Sequence, residues 1–170
     1  MDEDSITIRN EAPADESAVR HILLEAFDGD DEARIVELLC QAQKSIISLV
    51  AVYNGDLVGH ILFSPMTIHP PQPDFNALGL APLAVLPEYQ GRGVGTRLTQ
   101  EGLRICKRLG YSLVFVLGHP DYYSRFGFGP AGAYGLGSVY GAGDAFMVQA
   151  LCDGALNGLH GTVKYPPEFN

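Results

Sequence analysis

Apolar and polar residues alternate over residues 5–9 (SITIR), a period that predicts a first strand. Over 14–27 the apolar positions become Val19, Ile22, Leu23 and Phe27, the spacing of a helix. A second short helix fits 32–43, with Ile35, Val36, Leu38 and Leu39 turned inward. Two apolar runs, 46–53 and 57–63, flank Asn54-Gly55, a strong signal for a two-residue hairpin. Pro70, Pro71 and Pro73 then mark a loop, and 77–85 (ALGLAPLAV) reads as a fourth strand. Helix 94–109 sets Val94, Leu98, Gly102, Cys106 and Leu109 on one face, with Gly110 positioned to cap its end. The continuous run 113–117 (LVFVL) predicts a fifth strand covered on both sides. A short helix fits 122–125. The stretch 127–143 holds seven glycines in seventeen residues and reads as a long irregular loop. Segments 145–151 and 161–165 predict the closing strands, giving the order β-α-α-β-β-β-α-β-loop-β-β.

Composition narrows the function. A chain of 170 residues with neither repeat nor linker is most simply one domain, 1–170. Twenty acids against eleven bases leave a net charge of −9, which argues against nucleic acid as a partner. The three cysteines are far apart and odd in number, with no Cys-x-x-Cys pair, so neither a disulfide framework nor a zinc site is expected. The first ten residues, MDEDSITIRN, carry acids where a signal peptide has bases. No apolar run approaches the ~18 residues of a membrane helix. These features predict a cytoplasmic protein that does not engage a membrane.

The stretch QGRGVG at 90–95 follows the fourth strand and opens a helix. A strand turning through glycines into a helix aims several backbone N–H groups at one point, and the helix end adds a partial positive charge. An anion is welcome there. A Walker loop would need a lysine after the glycines, and none follows. A dinucleotide loop counted from Gly91 would end at Thr96 instead of Gly or Ala. What fits is Q/R-x-x-G-x-G/A, filled by Gln90, Gly93 and Gly95.

In this pattern the chain resembles the GNAT superfamily of acyl-CoA-dependent N-acetyltransferases. The resemblance implies an α/β (α+β) fold. Its mixed, mostly antiparallel central sheet of about seven strands would be flanked by about four helices and splayed between the fourth and fifth strands. It implies that Gln90, Gly91, Arg92, Gly93, Val94, Gly95 and Thr96 hold the pyrophosphate of coenzyme A. Pro82 would ordinarily argue against a central strand. In this family, Gly79 and Pro82 suit a fourth strand whose pairing must break, leaving Leu83, Ala84 and Val85 to bond the pantetheine amides.

A second stretch, HPDYYSRFGF at 119–128, matches the family's Y-x-x-x-G-F through Tyr123, Gly127 and Phe128. The resemblance implies that the Tyr123 hydroxyl meets the coenzyme sulfur and protonates the departing thiolate, with Tyr122 and Arg125 also at the cofactor. Arg125 would meet a phosphate or else stand exposed on a short helix. The ending GTVKYPPEF and the shared YYSRFGF extend the likeness to a branch of predicted bacterial acetyltransferases over the whole length.

The implied reaction moves an acetyl group from acetyl-CoA to a primary amine, small molecule or protein, by direct attack and with no metal. Many members place a glutamate on the fourth strand as base. ALGLAPLAV offers no carboxylate, so the base stays open among His119, Asp121, Glu32 and water. Glu25, Asp28, His60 and His69 are further titratable candidates, each weighed against a solvated or capping role. Asp28-Gly29-Asp30-Asp31 reads as a cap and turn, and Cys106 as a core thiol. The missing carboxylate keeps a second reading, a catalytically silent acyl-CoA sensor or partner subunit. A homodimer is left open.

Overall fold

The computed structural model describes residues 5–170; Asp2, Glu3 and Asp4 lie outside the described residues. The chain divides into two compact units. The first runs to Phe63 and includes Pro82–Gly102; the second comprises Ser64–Ala81 and Leu103–Asn170.

In the first unit β1 (Ile6–Asn10) pairs antiparallel with β2 (Ile47–Tyr53), which pairs antiparallel with β3 (Asp56–Pro65). Asn54-Gly55 makes the hairpin turn, with Tyr53 opposite Asp56. A single turn of 3-10 helix at Pro13–Asp15 leads into α1 (Glu16–Ala26), which buries Val19, Ile22 and Leu23. Helix α2 (Asp31–Gln41) buries Ala33, Val36 and Leu39, while Ile35 and Leu38 sit half-buried at the edges of that face. The helix α3 (Val94–Arg108) begins in this unit and lies against β3 at Gly59. A Cβ at Gly59 would come within 2.9 Å of Val94 and 3.0 Å of Leu98, so only glycine admits the helix this closely.

In the second unit the first half of β5 (Ala77–Val85) pairs in parallel with β6 (Leu113–Leu117). A parallel pair needs a crossover, and α3 supplies it. Beyond a four-residue helix, α4 (Pro120–Tyr123), come β7 (Gly129–Pro130) and β9 (Phe146–Ala150), with β9 antiparallel to both β6 and β7. A second sheet of three strands joins β4 (Thr67–His69), β10 (Gly161–Lys164) and β8 (Leu136–Ser138). Phe115 and Phe146 stack at 5.4 Å in the core of this unit, with Leu113, Val148 and Val163 around them. Each large side chain so buried contributes about 2 kcal/mol.

The main sheet has seven strands in the order β1-β2-β3-β5-β6-β9-β7, mostly antiparallel, with β5 and β6 parallel. This is the mixed, mostly antiparallel sheet with four helices that the sequence predicted, and the strands read as fourth and fifth are β5 and β6. Membership differs. The segment 161–165 forms β10 in the smaller sheet, and the seventh strand is the two-residue β7 inside the glycine-rich stretch. That stretch is therefore only partly irregular. Neither Gly129-Pro130 nor Leu136–Ser138 has an apolar alternation long enough to announce a strand. Leu109 lies just past the end of α3 and is 53% exposed, so it is not on the buried face. Among the described residues no helix is long and apolar enough to cross a membrane.

Candidate acyl-donor site

The glycine loop belongs to the first unit. Gly91 and Gly93 have φ of +73° and +87°, the left-handed region that residues with a Cβ enter at a cost of about 1–2 kcal/mol. The loop thereby turns into α3 within three residues. Arg97 donates the first i→i−4 bond to the Gly93 carbonyl (3.0 Å), so the N–H groups of Val94, Gly95 and Thr96 come before the helical ladder starts. Val94 and Leu98 are buried against β3 and fix the helix end. Thr99, fully buried, donates its hydroxyl to the Gly95 carbonyl (2.8 Å). Gly91 and Arg92 are exposed, Gly93, Gly95 and Thr96 half-buried. Together these residues make a cradle of main-chain donors suited to a phosphate-sized anion.

The end of β5 leads into this loop. Its ladder with β6 runs from Ala77↔Leu113 to Leu80↔Val116 and stops there. Pro82 follows, with no N–H to give. Leu83 and Val85 are half-buried and Ala84 is buried. Gln90 folds back so that its Nε2 donates to the Val85 carbonyl (3.0 Å), strapping the loop to the strand it leaves. Sequence reasoning put Gln90 among the anion contacts; its hydrogen bond here is to the backbone.

Tyr123 belongs to the second unit, at the end of α4. It is 9% exposed and packs edge-on against Tyr122 (4.9 Å between centroids) and Phe128 (5.8 Å). The absence of a side chain at Gly118 makes room for its ring. Burial pushes its phenol well above the ordinary range, and the neighbouring Tyr122 adds to the shift. The hydroxyl is thus held neutral. Gly127 closes the segment at φ +98°, which is why the motif needs glycine there. The Arg125 guanidinium lies 4.7 Å above the Tyr122 ring, and its Nε donates to the Tyr122 carbonyl (3.3 Å). Arg125 is exposed.

The candidate bases have unlike surroundings. His119, at the N-cap position of α4, and Asp121 are exposed, as are Glu25, Asp28 and His69. Glu32 is half-buried, and its Oε2 is buried without a hydrogen-bond partner. His60 is neither solvated nor a cap: it is fully buried, with Nε2 2.9 Å from Ser48 Oγ and 3.4 Å from Glu11 Oε1. Its position inside the apolar run 57–63 gave no signal of those partners, of which Ser48 lies on β2 and Glu11 just beyond the end of β1. Asp30 occupies the N-cap position of α2 but makes no side-chain capping bond; its carbonyl accepts from Arg34 (2.9 Å). Among the described residues no three His, Cys, Asp or Glu side chains gather as a metal site. Cys106 is fully buried, and its thiol is pushed up to about 12 by burial, as a core position requires.

The mostly antiparallel sheet with its parallel β5–β6 pair is shared with acetyltransferases crystallised with CoA and acetyl-CoA. The family model for the acetyltransferase (GNAT) domain matches residues 7–131, and the chain belongs to the GNAT family of acetyltransferases. It is 38% identical over 165 residues to the uncharacterized N-acetyltransferase YhbS of Escherichia coli K12, covering 96% of this chain and 98% of that protein. With the uncharacterized N-acetyltransferase YjhQ of the same strain it shares 42% over 130 residues, 75% of this chain and 72% of that one. The crystal structure of Escherichia coli YhbS in complex with CoA superposes with a TM-score of 0.92 at 36% identity, covering 98% of this chain and 92% of that one. A Brucella melitensis GNAT acetyltransferase in complex with acetyl-CoA gives 0.80 at 31%, covering 97% and 98%.

Proposed function

We propose that the protein transfers an acetyl group from acetyl-CoA to a primary amine by direct attack on the thioester. The observation that carries this reading is the main-chain cradle at 93–96 beside a strand whose ladder breaks at Leu80. The relatives crystallised with CoA and acetyl-CoA support it. On this reading the loop 90–96 takes the pyrophosphate, and Leu83, Ala84 and Val85 meet the pantetheine amides.

The chemistry balances simply. A neutral amine nitrogen forms the new C–N bond as the C–S bond breaks, Tyr123 gives its proton to the thiolate, and the proton that the nitrogen sheds on becoming an amide restores the tyrosine. An amine with an ordinary pKa near 10.4 must first lose a proton, at a cost of about 4–5 kcal/mol at pH 7. Glu32 is favoured as the base, because a buried carboxylate oxygen without a partner suits an incoming ammonium. We further take residues 1–170 as one functional domain, since the family match over 7–131 draws on segments of both compact units. The free cysteines Cys40, Cys106 and Cys152 favour the cytoplasm.

Free-thiol release from acetyl-CoA across a panel of primary amines tests the reading. Release with at least one amine, abolished by Glu32→Gln without loss of acetyl-CoA binding, is the expected result. Thermal stabilisation by acetyl-CoA with no release across the panel would instead favour the silent acyl-CoA sensor, which the carboxylate-free ALGLAPLAV strand keeps in view.

A further inference from the structure

A cavity of about 850 Å³ opens within the first unit among β1, β2, α1 and α2. Its lining shares no residue with the loop, strand or tyrosines assigned to the acyl donor. Its apolar wall is Val19, Leu23, Ala33 and Val36, each no more than 6% exposed. Against that wall stand three carboxylates, Glu11, Glu16 and Glu37, and one guanidinium, Arg20, which is 3.8 Å from Glu37. The balance is therefore negative.

Glu11 differs from an ordinary surface acid. Its N–H donates to the Ser48 carbonyl (2.9 Å), its Oε1 accepts from Ser48 Oγ at 2.6 Å, and His60 Nε2 lies 3.4 Å from the same oxygen. Because the Ser48 proton goes to Glu11, the Ser48 oxygen is free to accept from His60. His60 is fully buried, so this hydrogen-bonded chain is anchored beneath the cavity wall. These bonds, His60 first and then Ser48, outweigh burial and hold the Glu11 carboxyl below its ordinary value. Cys40, also on the wall, reports the same field. Its thiol is pushed up first by burial and then by the charges of Glu11 and Glu16, against a lowering by Ser45.

We propose that this cavity is a second binding site, built for a small organic cation whose ammonium meets Glu11 and whose apolar body lies on Val19, Leu23, Ala33 and Val36. A wholly apolar ligand would desolvate the anchored carboxylate further and bring it no counter-charge. An anion would meet a negative wall. An amine with a hydrocarbon or aromatic body satisfies both surfaces. The proposal does not depend on acetyl transfer.

Cys40 supplies the readout. In the full chain without acyl-CoA, alkylation of Cys40 and Cys152 by iodoacetamide is followed by mass spectrometry. Exposed Cys152 lies in the other unit and serves as the internal control. Phenethylamine should slow labelling of Cys40 severalfold in a saturable way and leave Cys152 unchanged. Its neutral match, 2-phenylethanol, should protect weakly. Glu11→Gln should weaken phenethylamine by about tenfold, the loss of one charge-assisted bond, while keeping free-thiol release in the acetyl-transfer assay. Absence of protection, equal protection by amine and alcohol, or undiminished protection in folded Glu11→Gln would each overturn the proposal. If Glu11→Gln fails to fold, the comparison of amine and alcohol on the unaltered chain still decides.

Discussion

The glycine loop and the tyrosine segment illustrate two ways of preparing chemistry. On the proposed reading, the working atoms at 90–96 are main-chain N–H groups, and what matters is that side chains stay out of the way. On the same reading the working atom at 119–128 is one phenolic oxygen, and what matters is how the surrounding side chains hold it. Gly93 acts through its backbone angle. Tyr123 acts through its burial among Tyr122, Phe126 and Phe128. A loop of the first kind is damaged by adding atoms, a site of the second kind by removing one.

The sharpest break of this comparison is Tyr123→Phe. Removing the hydroxyl should lower kcat by about 10²-fold, the smaller end of general-acid effects, with the acetyl-CoA Kd nearly unchanged. Single-turnover kinetics beside calorimetric titration check it; an unchanged kcat would remove the acid role. Gly59→Ala comes next and tests the frame under the loop. A methyl pressed against Val94 and Leu98 should cost about 1–3 kcal/mol, read as a lower Tm. Gly93→Ala, which forces a Cβ into φ +87°, should weaken acetyl-CoA by about tenfold and leave kcat at saturation nearly intact. That split is the opposite of the one expected at Tyr123.

The smallest effect is alkaline. Tyr123 and Tyr165 both have phenols raised by burial. Below about pH 10 they are neutral in the folded and the unfolded chain alike. Above it the unfolded chain releases protons that the folded chain keeps, so stability falls as pH rises. Each tyrosine adds up to about 1.4 kcal/mol per pH unit, and Tyr123→Phe should flatten the denaturation-midpoint profile above about pH 10.

Legibility in the sequence follows the same division. Alternation located β1, helical spacing located α1, α2 and α3, and apolar runs located β2 and β6, because each buries enough side chains to leave a pattern. The loop was readable because glycine is nearly a statement about backbone angle. The tyrosine was readable as a position, through Gly127-Phe128, but its burial was not, since that depends on Gly118 and on rings packed in three dimensions. The strands β7 and β8 escaped because pairing with distant partners makes them, with little side-chain pattern. His60 escaped in a different way. It was named as a titratable candidate weighed against a solvated or capping role, but its partners Glu11 and Ser48 lie 49 and 12 positions away.

The strap from Gln90 to the Val85 carbonyl carries a consequence for position 90. With that side chain spent on the backbone, the angle at which the loop leaves its strand rests on one donated hydrogen bond. The constraint is transferred to whichever residue at position 90 can still reach back and donate.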